Sequence, residues 1–228
     1  MYVTSPLRVS DSEIAYPVSL PRKLDNSNVQ EIKLGVGENL FFEGDNARYI
    51  YEVIEGVVRS SKVLMDGRRQ VLNFCYPGEL VGVSHDKHYH YDCDAVSPVK
   101  IRVYRKNASM DEILDDPEFC MKLLRNTAAE VNSMQEHFMM LGRKSAMEKT
   151  ASFLVAVVDR QKFYNDCGLY IELPMSRADI ADFLGVTIET VSRNLTKLRK
   201  FGVINLPRTC TVQICKPAEL RRLAENEI

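Results

Sequence analysis

The sequence predicts an α+β protein with an N-terminal antiparallel β-roll, one long helix and a C-terminal winged helix-turn-helix. Three observations predict this order. Gly56, Gly67 and Gly78 recur eleven residues apart among runs rich in Val, Ile, Tyr and Phe. One apolar row then runs through the segment that opens at Pro117 and closes at Gly142. Two short helical patterns finally meet at Gly185, ahead of the paired strand-like runs "GVINL" and "CTVQIC".

Size and composition bound the reading. A chain of 228 residues suits one large domain or two ordinary ones. It is 45% apolar and 27% charged, the balance of a soluble globular protein with real cores. "MYVTSPLRVSDSEIAYPV" has no long apolar stretch behind a basic end, so no signal peptide is expected. The longest apolar run, "FLVAVV", is far too short to cross a bilayer, so no membrane partner is expected. Six scattered cysteines without a C-x-x-C spacing are expected to be reduced thiols, with a cytoplasmic location.

Residues 1–28 are punctuated by Pro and Ser with weak periodicity, the pattern of an N-terminal arm. Residues 29–110 form the expected roll: short runs such as "YIYEVIEG", "VVRSSKVLMDG" and "QVLNFCYPG" end in D-G and P-G turns. Residues 111–144 are expected to hold the long helix, started by acids and Pro117 and stopped at Gly142. From Pro117 to Gly142 it would extend about 39 Å. Leu124, Ala128, Val131, Met134, Phe138 and Leu141 step by three and four along one seam of it. Such a seam packs either on the chain's own roll or on a second copy, and the helix length and the small Ala128 favour a dimer.

Residues 145–228 form the expected winged helix-turn-helix domain. Ser145 and Glu148 stand at capping-box spacing, as do Ser176 and Asp179. Gly185 takes the sharp turn between "RADIADFL" and "TIETVSRNLTKL", where a left-handed backbone costs Gly least. Ile180, Ala181, Leu184, Val186, Val191 and Leu195 are expected to pack the two helices together. A turn at Pro207 would join the two wing strands.

The second helix carries the candidate site. Net charge is −1, so attraction to nucleic acid must be local. Residues 190–208 supply Arg193, Lys197, Arg199, Lys200 and Arg208 with no acid among them. Such a patch suits phosphate contact, and equally a solvated helix face. Glu189 lies four residues before Arg193, at the end of the helix that enters a major groove in this motif. Arg193 can donate twice to guanine, and Glu189 can accept from the amino group of cytosine. At this spacing the two side chains are expected to brace each other, although an exposed pair of this kind adds little stability by itself. Ile188 offers a methyl to thymine, and Ser192 offers a hydroxyl to a base or phosphate. The expected contact set on double-stranded DNA is Thr187, Ile188, Glu189, Ser192, Arg193 and Lys197.

Two stretches carry a resemblance to a known family. "GENLFFEGDNARYIYEVIEGVVRSSKVLMDGRRQVLNFCYPGELVG" and "LPMSRADIADFLGVTIETVSRNLTKLRKFGVI" resemble the effector roll and the DNA-binding domain of the cyclic-AMP receptor protein/FNR superfamily. The likeness spans about residues 29–218. It implies a cyclic-nucleotide-binding-like roll, a homodimer joined through the long helix, and a palindromic promoter site served together with RNA polymerase. Glu189, Ser192 and Arg193 match the E-x-x-S-R pattern of the FNR/FixK branch, which implies half-sites of the TTGAT type and, for the most part, activation. Ile188 replaces the arginine found before that glutamate in cyclic-AMP receptor proteins.

The same resemblance says what the sensor half lacks. No cysteine precedes Cys75, so the four thiolates of an FNR iron–sulfur cluster are absent. Val83 stands where the family's nucleotide pocket has its second glutamate, and "HYDCDA" supplies no arginine for a phosphate. The expectation is a FixK-like regulator with no intrinsic cofactor. A regulator gated by haem, metal or a small ligand is the alternative, because His85, His88, His90 and Cys93 are competent ligands packed into nine residues. A cupin-like metalloenzyme also uses H-x-H on a roll, as His88 and His90 would. The glutamate expected after it is missing, and the next histidine, His137, lies on the long helix, so no enzyme is expected.

Overall fold

Glycine turns and period-two apolar patterning fold the N-terminal half into two facing antiparallel sheets. The computed structural model describes residues 29–106, 117–161, 163–165 and 168–225. The expected arm at residues 1–28 lies outside them. Its strands are β1 (Val29–Leu34), β2 (Asn39–Phe41), β3 (Tyr49–Glu55), β4 (Val58–Val63), β5 (Arg69–Cys75), β6 (Leu80–Val81), β7 (Asp92–Ala95) and β8 (Val99–Arg105). One sheet has the order β1-β8-β3-β6 and the other β2-β7-β4-β5. Val53, Val58, Cys93 and Ile101 are fully enclosed between them. Phe41 stacks on Tyr89 with ring centroids 3.8 Å apart. Gly56 turns β3 into β4 at φ +81°, and a Cβ there would lie 2.2 Å from the Pro98 carbonyl oxygen. Only glycine fits that turn.

Pro117 begins helix α1 (Pro117–Arg143), 27 residues long. Its ends bury Phe119 and Met140. Phe119 packs with Ile50 and Leu80 of the roll, while Asn126 accepts a hydrogen bond from the Leu80 amide at 3.1 Å. Between those anchors the apolar row is uncovered: Leu124 is 63%, Met134 57% and Phe138 77% exposed, and Val131 and Ala128 are exposed too. Leu141 departs from the expected seam. It is half-buried, and its Cδ2 lies 3.4 Å from where a Cβ on Gly185 would stand, so it faces the helix turn of the same chain.

Ser145 and Glu148 form the expected reciprocal cap, with the Ser145 amide donating to Glu148 at 2.6 Å. They open α2 (Ala146–Gln161), which buries Ala151, Phe153, Leu154, Val157 and Val158. Strands β9 (Phe163–Asn165) and β10 (Gly168–Glu172) lead to α3 (Arg177–Leu184) and α4 (Ile188–Lys200). The wing is β11 (Ile204–Arg208) and β12 (Thr211–Ile214), in a sheet of order β11-β12-β10-β9. The wing turn is at Thr209 and Cys210 rather than at Pro207. Pro207 sits inside the edge strand β11, where the pairing register shifts, a place that needs no ladder donor. A last helix, α5 (Pro217–Glu225), was not expected from the sequence. Pro217 at its first position was the signal for it.

Candidate nucleic-acid interface

The turn between α3 and α4 is built from caps. Ser176 accepts from the Asp179 amide at 3.1 Å while Asp179 accepts from the Ser176 amide at 2.9 Å. Gly185 adopts the left-handed region at φ +61° and ψ +40°, as the sequence requires. Thr187 then caps α4, its hydroxyl accepting from the Thr190 amide at 3.2 Å. Ile180, Ala181, Leu184, Val191 and Leu195 are buried between the helices, and Val186 is half-buried beside them.

Helix α4 has two chemically distinct sides. Val191, Asn194, Leu195 and Leu198 are buried. The Asn194 side chain donates to the Ala146 carbonyl at 2.8 Å and to the Thr150 hydroxyl at 3.0 Å, which ties α4 to the first turn of α2. Sequence reasoning passed over Asn194, whose only signal was a polar residue at an apolar position. On the other side Thr187, Ile188, Glu189, Ser192, Arg193 and Lys197 are all exposed. The structure therefore brings the whole expected contact set onto one uncovered face. Arg199 and Lys200 are exposed at the far end of α4 and Arg208 in the wing. Arg177 reaches across and donates to the Thr209 carbonyl at the wing turn, 3.2 Å away.

The expected brace between Glu189 and Arg193 is absent: no ion pair joins them among the described residues. The Glu189 carboxylate turns to the start of the helix instead. Its own backbone N–H and the Thr187 hydroxyl hold its pKa below the ordinary glutamate value, with Arg193 a lesser contributor and burial opposing slightly. Unpaired amides at a helix N-terminus attract a carboxylate over the same range as an exposed salt bridge. The Glu189 N–H and the Thr187 hydroxyl here outweigh the Arg193 guanidinium.

The histidine-rich loop does not gather as a ligand set. His85, His88 and His90 are exposed, and His90 bonds Asp86 at 2.5 Å. Cys93 lies on β7 with its side chain inside the roll, 0% exposed, and burial pushes its thiol pKa well up. Strand alternation sends it away from the loop, which corrects its place beside the histidines. Among the described residues no three His, Cys, Asp or Glu side chains meet as a metal site. Val83, where the nucleotide-binding pattern has a glutamate, packs against the cluster of Ile50, Leu80 and Phe119. On β7, Asp94 is buried and paired with Arg59 at 2.6 Å.

Comparison with known proteins places this geometry. Residues 148–223 match the Crp-like helix-turn-helix domain, and residues 31–116 match the cyclic nucleotide-binding domain. The nitrogen fixation regulation protein FixK of Azorhizobium caulinodans is 40% identical over 185 residues, covering 81% of this chain and 75% of that protein. The chain belongs to the cyclic-AMP receptor protein/FNR family. It is a FixK-like transcription regulator with a helix-turn-helix DNA-binding domain. The transcriptional activatory protein AadR of Rhodopseudomonas palustris is 37% identical, covering 77% of this chain and 73% of its own. The solved structure of FixK2 from Bradyrhizobium japonicum superposes with a TM-score of 0.78 at 33% identity, covering 86% of this chain and 96% of that one. These relatives are transcription regulators rather than enzymes. No helix among the described residues of this FixK-like chain is long and apolar enough to cross a membrane.

Proposed function

We propose that this regulator works in the cytoplasm as a homodimer joined along α1, and that each α4 reads one half of a palindromic TTGAT-type promoter site. The observation that carries the reading is the two-sided α4, its inner residues locked to α2 and α3 and its contact residues all exposed. Arg193 donates to guanine, Glu189 accepts from cytosine, Ile188 meets a thymine methyl and Ser192 bonds a base or phosphate. Lys197, one turn further on, neutralises phosphate, and Thr187 completes the contact set at the helix start. The Glu189 carboxylate leaves its own N–H and the Thr187 hydroxyl when a cytosine amino group replaces them.

The exposed row of Leu124, Ala128, Val131, Met134 and Phe138 supports the dimer. An apolar helix face repeated by a two-fold axis is self-complementary and gives the paired heads that a palindrome needs. Residues 29–110 serve as the roll, 111–144 as the dimer helix and 145–228 as the DNA-binding domain. The roll works without an iron–sulfur cluster or cyclic nucleotide: no cysteine precedes Cys75, and Val83 is apolar. RNA polymerase is the partner at the promoter.

A gel shift with the purified chain and no added effector tests this. The expected result is a shift of a TTGAT-type palindrome, weaker binding to a single half-site, and a dimer mass by sedimentation. Equal affinity for palindromic and scrambled duplexes would refute base reading by α4. A shift only after haem, metal or nucleotide is added would refute the cofactor-free roll.

A further inference from the structure

The first helix of the helix-turn-helix, α3, is short, and two of its last carbonyls find partners outside the DNA-binding domain. The last carbonyls of an α-helix have no partner inside the helix. In α3 the Ala181 carbonyl is taken by the Gly185 and Val186 amides. The next two are taken by residues far away in the chain. Gln70 of β5 donates to the Asp182 carbonyl at 2.7 Å. The Nε2 of His137 on α1 lies 2.8 Å from the Phe183 carbonyl, and its ring stacks on Phe183 with centroids 4.0 Å apart and planes 13° apart.

The acidic side chains of α3 are held from the same direction. One oxygen of Asp179 caps the helix through Ser176, at 2.8 Å from the hydroxyl. The other oxygen meets both Arg59 of β4 and Arg69 of β5, the latter at 2.6 Å. Arg69 also donates to Asp182 at 2.9 Å, and Arg59 is itself held by Asp94 at 2.6 and 3.0 Å. Half-buried ion pairs of this kind add little net stability, but losing one partner is costly because it strands a desolvated charge. They are suited to fixing a geometry.

We propose that Arg69, Gln70 and His137 are positioning residues for DNA reading: from the roll and the long helix they clamp α3, and so set where α4 points. With the clamp closed the contact face of α4 is uncovered, so the clamped arrangement leaves that face open to a duplex. The inference rests on the two-headed reading above, because a tilt of α3 matters most when two heads must meet one duplex together.

The test uses the full chain with three variants, all substituted away from the contact face. Arg69→Gln with Gln70→Leu opens the clamp from the roll side. Asp182→Asn opens it from the helix side and leaves the capping pair of Ser176 and Asp179 intact. Arg69→Lys keeps the charge and serves as the conservative control. Both opening variants are expected to lose about tenfold in affinity for the palindrome, roughly the cost of one lost charged contact, while half-site affinity stays within about twofold. The lysine variant should recover most of the loss. Amide exchange at residues 182–186 should quicken about tenfold in the opening variants, with α4 unchanged.

Unchanged palindrome affinity and unchanged exchange in both opening variants would overturn the clamp. So would an equal loss on palindrome and half-site, since that means damage to α4 itself. A wild-type chain that sediments as a monomer and binds palindrome and half-site alike would sink the two-headed reading instead. The exchange measurement would then still decide whether the clamp exists.

Discussion

Helices α1 and α4 each leave one face open, and the two faces differ in chemistry. The open row of α1 is aliphatic and aromatic, with Phe138 the most exposed of its large side chains. The open row of α4 is polar and cationic around Ser192, Arg193 and Lys197, while its inner side holds Leu198 at 0% exposure. An apolar row gains by leaving water and asks for another apolar surface. A row made mostly of donors, with Ile188 as its apolar exception and Glu189 as its acceptor, gains by meeting fixed acceptors and fixed negative charge. The difference teaches that two open faces on one chain call for two different occupants, which in the proposed reading are a second copy and a duplex.

The largest effect is expected where α4 is closed. Leu198→Ala should cost about 2–5 kcal/mol of stability, read by chemical denaturation, because it opens a cavity in a filled core. A smaller cost would mean that the inner face is not packed as described. Phe138→Glu should act on the other helix without that penalty. Dimer association is expected to weaken by about 2 kcal/mol or more in sedimentation, while the stability of the fold changes by about 0.5 kcal/mol or less. A loss of fold stability at low protein concentration would show that Phe138 serves its own chain, and would erase the contrast between the helices.

The open face of α4 can be divided further. Arg193→Ala should cost about 1–3 kcal/mol on the specific site and relax preference at one base pair, whereas Lys197→Ala should weaken all duplexes alike and lower the salt slope by about one. Matching losses on specific and random DNA for Arg193→Ala would place that residue among the phosphate contacts.

The smallest effect is expected at the junction of the two helices. Burial lowers the His137 pKa below 6.5, and the neighbouring Lys149 lowers it as well, while the carbonyls of Phe183 and Leu72 pull it back up. Glu130 lines the same cleft. The neutral ring is therefore the native one. Its contribution is complete above 6.5 and fades as pH falls through the lower native value. Thermal midpoints measured between pH 7.5 and 5 should fall more for the wild type than for His137→Phe. Identical pH slopes would remove His137 from the junction energetics.

Much of this was legible in the residues themselves. Gly56 and Gly185 mark turns that their positive φ requires, and the Ser176–Asp179 and Ser145–Glu148 caps are local rules met locally. The two-sided α4 follows from its periodicity. Other features escaped because they depend on competition or on distance. The spacing of Glu189 and Arg193 permits an ion pair, but nothing in that spacing weighs it against the Glu189 N–H and the Thr187 hydroxyl at the helix start. Cys93 is near three histidines in sequence, and one alternation of β7 puts it in the core. Pro207 reads as a turn until the edge position of β11 makes it tolerable inside a strand.

By itself the sequence determined most of the elements, the Ser145–Glu148 and Ser176–Asp179 caps, the apolar row of α1 and the two-sided pattern of α4, since each depends on residues within a few turns of one another, and two longer stretches of it pointed to the family. The tertiary structure alone decided that Gln70 and His137 complete α3, and that Arg69 reaches Asp179 and Asp182. Those partners are separated by 46 to 113 residues. No local periodicity encodes such meetings. They arise only when the roll, the long helix and the DNA-binding domain pack together and unsatisfied carbonyls and charges must find partners across the boundary.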